Sequence, residues 1–258
     1  MRRRSFLARL TILPALPLVA HAAKAELNIG IYPGTGKADI LMGDFRAYAM
    51  PFAQALGAAL DAKPRLTLFR SIKSALRSLK SGRPDLYFVP PSVAVSVLDN
   101  DYSPVARVRD QATGVLVRRK GVAIHTVALT EKESWLDVMA RHALKRNKHE
   151  SVKIDNFKTQ DDMALAMQRD YAQAASLRSR LANELVAKDA FEIWLPLPTT
   201  SDFTLMASNR LSAAEQRRLG AAAVALSPAA TESLQKTIHS KVTGFVIDKE
   251  ADYKIISR

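Results

Sequence analysis

Residues 65–98, RLTLFRSIKSALRSLKSGRPDLYFVPPSVAVSVL, predict two strand–helix units with almost no chain between them. Strand RLTLFR leads into a helix whose apolar residues from Ile72 to Leu79 recur every three or four positions, and Pro84 follows its end. Strand DLYFV is a short apolar run typical of a buried parallel strand, and Pro91 opens the next helix. This stretch therefore favours an α/β fold with a mostly parallel sheet.

The ends of these strands also predict a binding edge. In open α/β sheets, small ligands bind beyond the carboxyl ends of the strands, where helix N-termini present unpaired N–H groups. The residues that fall on this edge are Arg70, Ser71, Pro91 and Ser92.

The first strand, in ELNIGIYPG, ends in a turn that contributes to the same edge. Gly34 and its neighbours can bring backbone donors close to a ligand. We expect Tyr32 and Thr35 to line the site, because the loop after the first strand is a common place for ligands. The alternative is an ordinary surface loop.

The N-terminus, MRRRSFLARLTILPALPLVAHAAKA, has the pattern of a signal peptide of 25 residues. Its apolar part is interrupted by two prolines and is shorter than the roughly 20 residues that span a bilayer. Arg3 and Arg4 resemble a twin-arginine export motif, although a general secretory signal stays open. Small-residue patterns predict cleavage near Ala22 or Ala25, which indicates export to a bacterial periplasm.

Composition excludes several classes of site. The chain has no cysteine, so disulfides, a thiol nucleophile and lipid attachment through cysteine are all unavailable. Its five histidines show no metal-binding spacing, and we expect neither a metal nor a cofactor. Without residues 1–25, which carry five basic and no acidic residues, the net charge falls from +13 to +8. This surplus suits anionic ligands, whereas export argues against a nucleic-acid partner.

Beyond Tyr102 the chain repeats the alternation of strands and helices, which predicts a second lobe. We predict that residues 26–108 and 205–258 form lobe 1 and that residues 109–204 form lobe 2. Each lobe is expected to hold a mixed, mostly parallel sheet flanked by helices, and two crossings join them. Two details concern helices: Pro51 is expected in a first turn, and a helix is expected to include Leu177, Leu181 and Leu185.

With these elements in place, the chain resembles the phosphonate and phosphite substrate-binding proteins of ABC importers, the PhnD-like family of type II periplasmic binding proteins. The segments that carry the resemblance are LNIGIYP, MPFAQALGAAL, LKSGRPDLYFVPPSVAV, LPLPTTSDFTLMA and GFVIDKEADYKII. The resemblance implies a two-lobed clamp without catalysis, which closes on a ligand and is then accepted by a membrane permease.

The resemblance also implies site residues. The loop after the third strand matches the family at Pro91 and Ser92, and the acid on the return segment, which in the family can contact a ligand amine, matches Asp202. The helix start that grips phosphonyl oxygens keeps Thr130 and Ser134 but lacks the family's glycine.

A further departure follows the next strand. Where the family often has a histidine, this chain has FKTQD, which puts Thr159 at the site and a carboxylate, Asp161, beside it. Glu131 and Glu133 raise the same question, because carboxylates inside the cleft would oppose a purely anionic ligand. Either these three acids face solvent or they meet a ligand amine, and the sequence leaves both possibilities open.

From these observations and from the resemblance, we expect the chain to be a monomeric periplasmic component of an ABC importer that binds a small oxyanion or zwitterion. Two alternatives stay open. A sensory binding protein with the same fold would signal to a membrane histidine kinase, and a periplasmic enzyme could use the same scaffold. The enzyme is disfavoured because the sequence has no nucleophile elbow and no phosphate-loop motif.

Overall fold

The computed structural model describes residues 26–34, 40–81, 84–238 and 240–248. The predicted signal peptide and Thr35 lie outside these ranges. Within them, strands and helices alternate along most of the chain. No helix of the described residues is long and apolar enough to cross a membrane.

The strands are β1 Glu26–Ile31, β2 Lys63–Leu68, β3 Leu86–Val89, β4 Tyr102–Val108, β5 Gln111–Ala112, β6 Gly114–Arg119, β7 Thr126–Leu129, β8 Lys153–Asn156, β9 Ala174–Arg178, β10 Phe191–Pro196, β11 Thr200–Ser201, β12 Thr204–Ser208 and β13 Phe245–Val246. The helices are α1 Met42–Ala59, α2 Ile72–Lys80, α3 Pro91–Leu98, α4 Trp135–Arg146, α5 Gln160–Gln168, α6 Ser179–Val186, α7 Ala213–Val224 and α8 Pro228–Gln235.

The first sheet has the strand order β13-β4-β12-β3-β1-β2. Strands β2, β1 and β3 are parallel to one another. Strand β12 is antiparallel to its neighbours β3 and β4, and β13 is antiparallel to β4. Because β1 and β3 run in the same direction, their carboxyl ends meet at one edge. That edge carries Tyr32 after β1 and the start of α3 after β3.

The second sheet has the order β10-β6-β9-β7-β8. Strands β9, β7 and β8 are parallel, whereas β6 is antiparallel to both β9 and β10. Along the chain, helix α4 follows β7, α5 follows β8 and α6 follows β9. Both sheets are therefore mixed and flanked by helices, and the predicted α/β architecture is confirmed.

A short antiparallel pair, β5 with β11, lies at the two places where the chain passes between the sheets. Strands of the first sheet come from residues 26–108 and 204–246, and strands of the second come from residues 114–196. We propose that the sheets are the cores of the two lobes expected from the sequence, with β5 and β11 at the hinge.

Buried apolar side chains join the elements into three clusters. One cluster lies between the first sheet and α1, where Phe52 packs against Phe88 and Phe245. Another lies within the second sheet and its helices. The third includes residues of α2 and α3 from one side and of α4 from the other. The two sheets are therefore linked through packed helices and the hinge strands.

The prediction for Pro51 was wrong. This proline lies in the middle of α1 and not in a first turn. Proline removes one helical hydrogen bond and crowds the preceding turn, so sequence reasoning favours a helix start. Here the helix continues because Phe45, Ala49, Phe52 and other residues on one face are buried against the core. Tertiary packing outweighs the local preference.

The predicted helix containing Leu177 was also wrong at its start. Leu177 lies in β9, and α6 begins only at Ser179. The spacing of Leu177, Leu181 and Leu185 matches a helix, but Leu177 is buried in the sheet through its pairing with Val115. This shift brings Arg178, the last residue of β9, to the carboxyl edge of the second sheet.

Candidate functional site

The edge of the first sheet presents a buried phenol and an unpaired hydroxyl. Tyr32 follows β1 and is only 1% exposed. Pro91 is the first residue of α3 and is buried, as expected for a proline that opens a helix. The Oγ atom of Ser92 is buried and has no hydrogen-bond partner among the described residues. A buried hydroxyl without a partner is unusual, and a bound ligand is one way to supply it.

The start of α2 is satisfied within the chain. Ser71 caps the helix by accepting a hydrogen bond from the backbone N–H of Ser74, and the Ser74 hydroxyl accepts one from Ser71 in return. Arg70 is exposed and donates from Nη1 to the carbonyl of Ile40 at 3.2 Å. Neither Arg70 nor Ser71 lines the two cavities described below.

In the second lobe, Thr130 and Ser134 form a pair. Their hydroxyl oxygens are 2.5 Å apart, and both residues are buried. Ser134 caps α4 by accepting from the N–H of Asp137 at 3.2 Å. The two hydroxyls predicted to bind a ligand therefore lie together at the start of α4, and Ser134 lines a cavity between the two sheets.

Thr159 caps α5 in a reciprocal arrangement with Asp162. The Thr159 hydroxyl donates to Oδ2 of Asp162 at 2.6 Å and accepts from its N–H at 3.0 Å. Asp161, the residue before Asp162, is exposed and lines a cavity.

Arg178, which sequence reasoning did not select, lies between the two sheets. Its Nη2 atom donates to Oδ1 of Asp202 at 3.1 Å and to Oγ of Ser240 at 3.3 Å. The guanidinium lies 4.3 Å from the centre of the Trp135 ring. Trp135 is fixed in turn, because its indole N–H donates to Oγ1 of Thr200 at 2.7 Å.

Two neighbouring cavities meet at Arg178. The smaller, of about 30 Å³, lies between the sheets and is lined by residues that include Tyr32, Ser134 and Trp135. The larger, of about 300 Å³, is lined by residues that include Thr159 and Asp202. Gln160, Arg178 and Ser240 line both. The smaller has room for only one or two waters, whereas the larger reaches the size of a small-molecule pocket, about 300 to 1,000 Å³.

The cavities bring together Tyr32, Ser134, Thr159 and Asp202 from the predicted set, and Thr130 adjoins Ser134. Arg70, Ser71, Pro91 and Ser92 line neither cavity. A signal for Arg178 was present in the sequence, since it ends a strand just before a helix, as Arg70 does in the predicted strand RLTLFR. It was missed because the run YAQAAS fits a helix or a strand equally well.

Glu131 connects the two lobes directly. Its Oε2 atom accepts from the Tyr32 hydroxyl at 3.3 Å, and its carboxylate also accepts from the backbone N–H of Ile72. Burial raises the pKa of Glu131, the two hydrogen bonds oppose this rise, and neighbouring Glu133 adds to it. Burial likewise raises the pKa of Tyr32, and the charge of Glu131 raises it further.

Charged groups of the larger cavity leave a small positive excess. Arg178, Arg180 and Lys241 face Asp161 and Asp202 there. Within the described residues, no group of three or more histidine, aspartate or glutamate side chains could hold a metal ion. The site offers hydroxyls, amides and a guanidinium, which are groups that bind oxyanions by hydrogen bonds.

Two mixed sheets flanked by helices, with the short pair of β5 and β11 where the chain passes between them, give the fold of type II periplasmic binding proteins. A family model described as ABC transporter, phosphonate, periplasmic substrate-binding protein matches residues 44–253. The chain belongs to this family. The family serves substrate binding for transport and is not an enzyme family. The sequence matches no curated protein.

Solved structures share this fold at low identity. XAC2383 from Xanthomonas citri, bound to ATP, is 14% identical with a TM-score of 0.74, over 91% of this chain and 96% of that chain. PhnD1 from Prochlorococcus marinus, in complex with methylphosphonate, is 14% identical with a TM-score of 0.68, over 90% and 96%. A binding protein component of an ABC phosphonate transporter from Pseudomonas aeruginosa is 12% identical with a TM-score of 0.66, over 91% and 85%.

Proposed function

We propose that this chain is the periplasmic solute-binding component of an ABC importer and binds a small oxyanion or zwitterion, phosphonate-like or phosphite-like, between its lobes. The observation that carries the proposal is the Arg178 guanidinium, which borders both cavities and is held by Trp135 and Asp202. A planar guanidinium matches the oxygens of a phosphonate or sulfonate, and a fixed one loses little freedom on binding.

The remaining contacts come from both lobes. Tyr32, Thr35, Pro91 and Ser92 act from the first lobe in this proposal, together with Arg70 and Ser71 at the start of α2. The second lobe contributes Thr130, Ser134 and Thr159, and Asp202 acts from the hinge. Micromolar affinity requires about 8 kcal/mol, so several donors must converge when the lobes close on the ligand.

The physiological setting follows from the same proposal. The chain is exported as a monomer, through a twin-arginine signal cleaved near Ala22 or Ala25, and delivers its ligand to an ABC permease. The ligand stabilises the closed form by its differential affinity for that form. The receiving membrane protein then needs to recognise only closure.

A thermal-shift screen of the mature protein tests this function. The panel contains methylphosphonate, ethylphosphonate, phosphite, ethanesulfonate and amino acids, and a ligand that binds only the folded state raises the melting temperature by mass action. We expect at least one phosphonate or phosphite to raise it in wild type and in Arg118→Met, whose ion pair with Glu192 lies away from both cavities. The melting temperature of Arg178→Met should no longer rise with that ligand. If no compound of the panel raises the melting temperature of wild type, the proposal is contradicted.

A further inference from the structure

The Asp202 carboxylate is a buried charge that the chain neutralises by itself. Its side chain is 3% exposed, and its Oδ1 atom accepts from Arg178, whose side chain is 18% exposed. A buried carboxylate without a partner is strongly unfavourable, so some cation has to stand opposite it. In this chain that cation is a side chain.

Arg178 is held in place from three directions. The Trp135 ring supports one face of the guanidinium, Asp202 and Ser240 fix Nη2, and the Arg178 backbone N–H donates to the Gln160 side chain at 2.8 Å. Its Nε and Nη1 atoms donate to no described residue. One edge of the guanidinium is therefore used internally, and the other retains donors where the two cavities meet.

We propose that Arg178 occupies the position of a ligand cation opposite Asp202, and that the site therefore selects a small oxyanion without an amine. The inference rests on the proposed function and narrows its ligand class. A ligand ammonium directed at Asp202 would meet the like charge of Arg178, whereas an oxyanion meets the unused donors of Arg178 and the positive excess of the larger cavity. Arg178 is a specificity-determining residue in this account, and Asp202 positions it.

Two ligands that differ only by an amine test this selection. Calorimetry with ethylphosphonate and 2-aminoethylphosphonate is expected to give at least tenfold tighter binding of ethylphosphonate to wild type. Arg178→Met should reverse the preference, because Asp202 is then free to receive the ammonium, and Arg118→Met should keep the wild-type order. Wild type that binds 2-aminoethylphosphonate as tightly as ethylphosphonate overturns the proposal.

A second arm needs no phosphonate. Arg178→Ala leaves a space over Trp135 beside an unpaired Asp202, so methylguanidinium is expected to raise its melting temperature by several degrees. Methylguanidinium should not raise the melting temperature of wild type. It should also not raise that of the double variant Arg178→Ala/Asp202→Asn, which lacks the buried carboxylate. If Arg178→Ala folds only with methylguanidinium while the double variant folds without it, the proposal is equally supported.

The two arms separate the two claims. Wild type that binds neither phosphonate counts against the proposed function, and the methylguanidinium arm then still decides whether a cation position exists opposite Asp202. Absence of any specific stabilisation of Arg178→Ala by methylguanidinium overturns the assignment of Arg178, whatever the phosphonates do.

Discussion

The hydroxyl of Tyr32 lies 3.3 Å from Oε2 of Glu131, and this contact joins the end of β1 in the first sheet to the loop before α4 in the second. The same carboxylate accepts from the Ile72 N–H at the start of α2. Negative groups are favourable at a helix N-terminus, which is where an oxyanion would also bind. Glu131 thus ties the two lobes in the absence of a ligand.

Removal of this tie is predicted to open the ligand-free protein. Glu131→Ala should increase the radius of gyration in solution scattering and shift the emission of Trp135 to longer wavelength, because Trp135 is 3% exposed beside the gap. The chain has two tryptophans, so the fluorescence is read in a Trp194→Phe background. Glu133→Ala is the matched control, since Glu133 is exposed on the same loop. If Glu131→Ala and this control have the same radius of gyration and the same emission wavelength, the prediction is contradicted.

Stability should depend on pH through Glu131. Burial raises its pKa in the folded protein above the usual value of 4.5, so the native state binds more protons than the unfolded state between the two values. Stability contributed by this group therefore falls as pH rises and is restored below pH 4.5. Glu131→Gln keeps the acceptor without the charge. We expect it to melt at a higher temperature than wild type at pH 7, with the difference shrinking towards pH 4; a constant difference argues against this origin.

Ser92→Ala is predicted to act in opposite directions on binding and stability. The buried Ser92 hydroxyl has no partner among the described residues, so its loss should leave the melting temperature of the ligand-free protein unchanged or slightly higher. If the ligand supplies the partner, calorimetry with ethylphosphonate should show a loss of about 1 to 2 kcal/mol. Ser96→Ala, on the same helix, provides the control. Unaltered affinity would remove Ser92 from the site.

The indole of Trp135 should contribute to stability through Thr200. Trp135→Phe leaves the Thr200 hydroxyl without its 2.7 Å donor, and we expect urea denaturation to show a loss of about 1 to 3 kcal/mol. Thr200→Val should also destabilise the protein. The double variant should lose less than the two single variants combined, because both polar partners are then gone. Strict additivity would show that this hydrogen bond carries no coupling energy.

Local patterns were sufficient to predict much of the fold. The helical spacing from Ile72 to Leu79 gave α2, the apolar run LYFV gave β3, and Pro91 gave the start of α3, because each signal depends on a few adjacent residues. Pro51 shows where this reasoning ends. Its place inside α1 depends on burial of a whole helix face, which local propensity does not contain.

The site was less predictable than the fold for a similar reason. Ser134 and Thr159 were expected from the resemblance to the family, and in the structure both cap helices. The pairing of Arg178 with Asp202 joins the end of β9 to the residue after β11 across 24 residues of sequence, and no local pattern indicates which cation meets which acid. Once β9 is placed, Arg178 follows from the rule that ligands bind beyond the carboxyl ends of strands.

The most direct test of the central claim is a calorimetric titration of ethylphosphonate into the mature protein, with wild type and Arg178→Met compared side by side. A clamp that grips an oxyanion through Arg178 predicts saturable binding of one ligand per chain by wild type, weakened at least tenfold in the variant. Saturable binding of equal strength in both proteins would contradict the account.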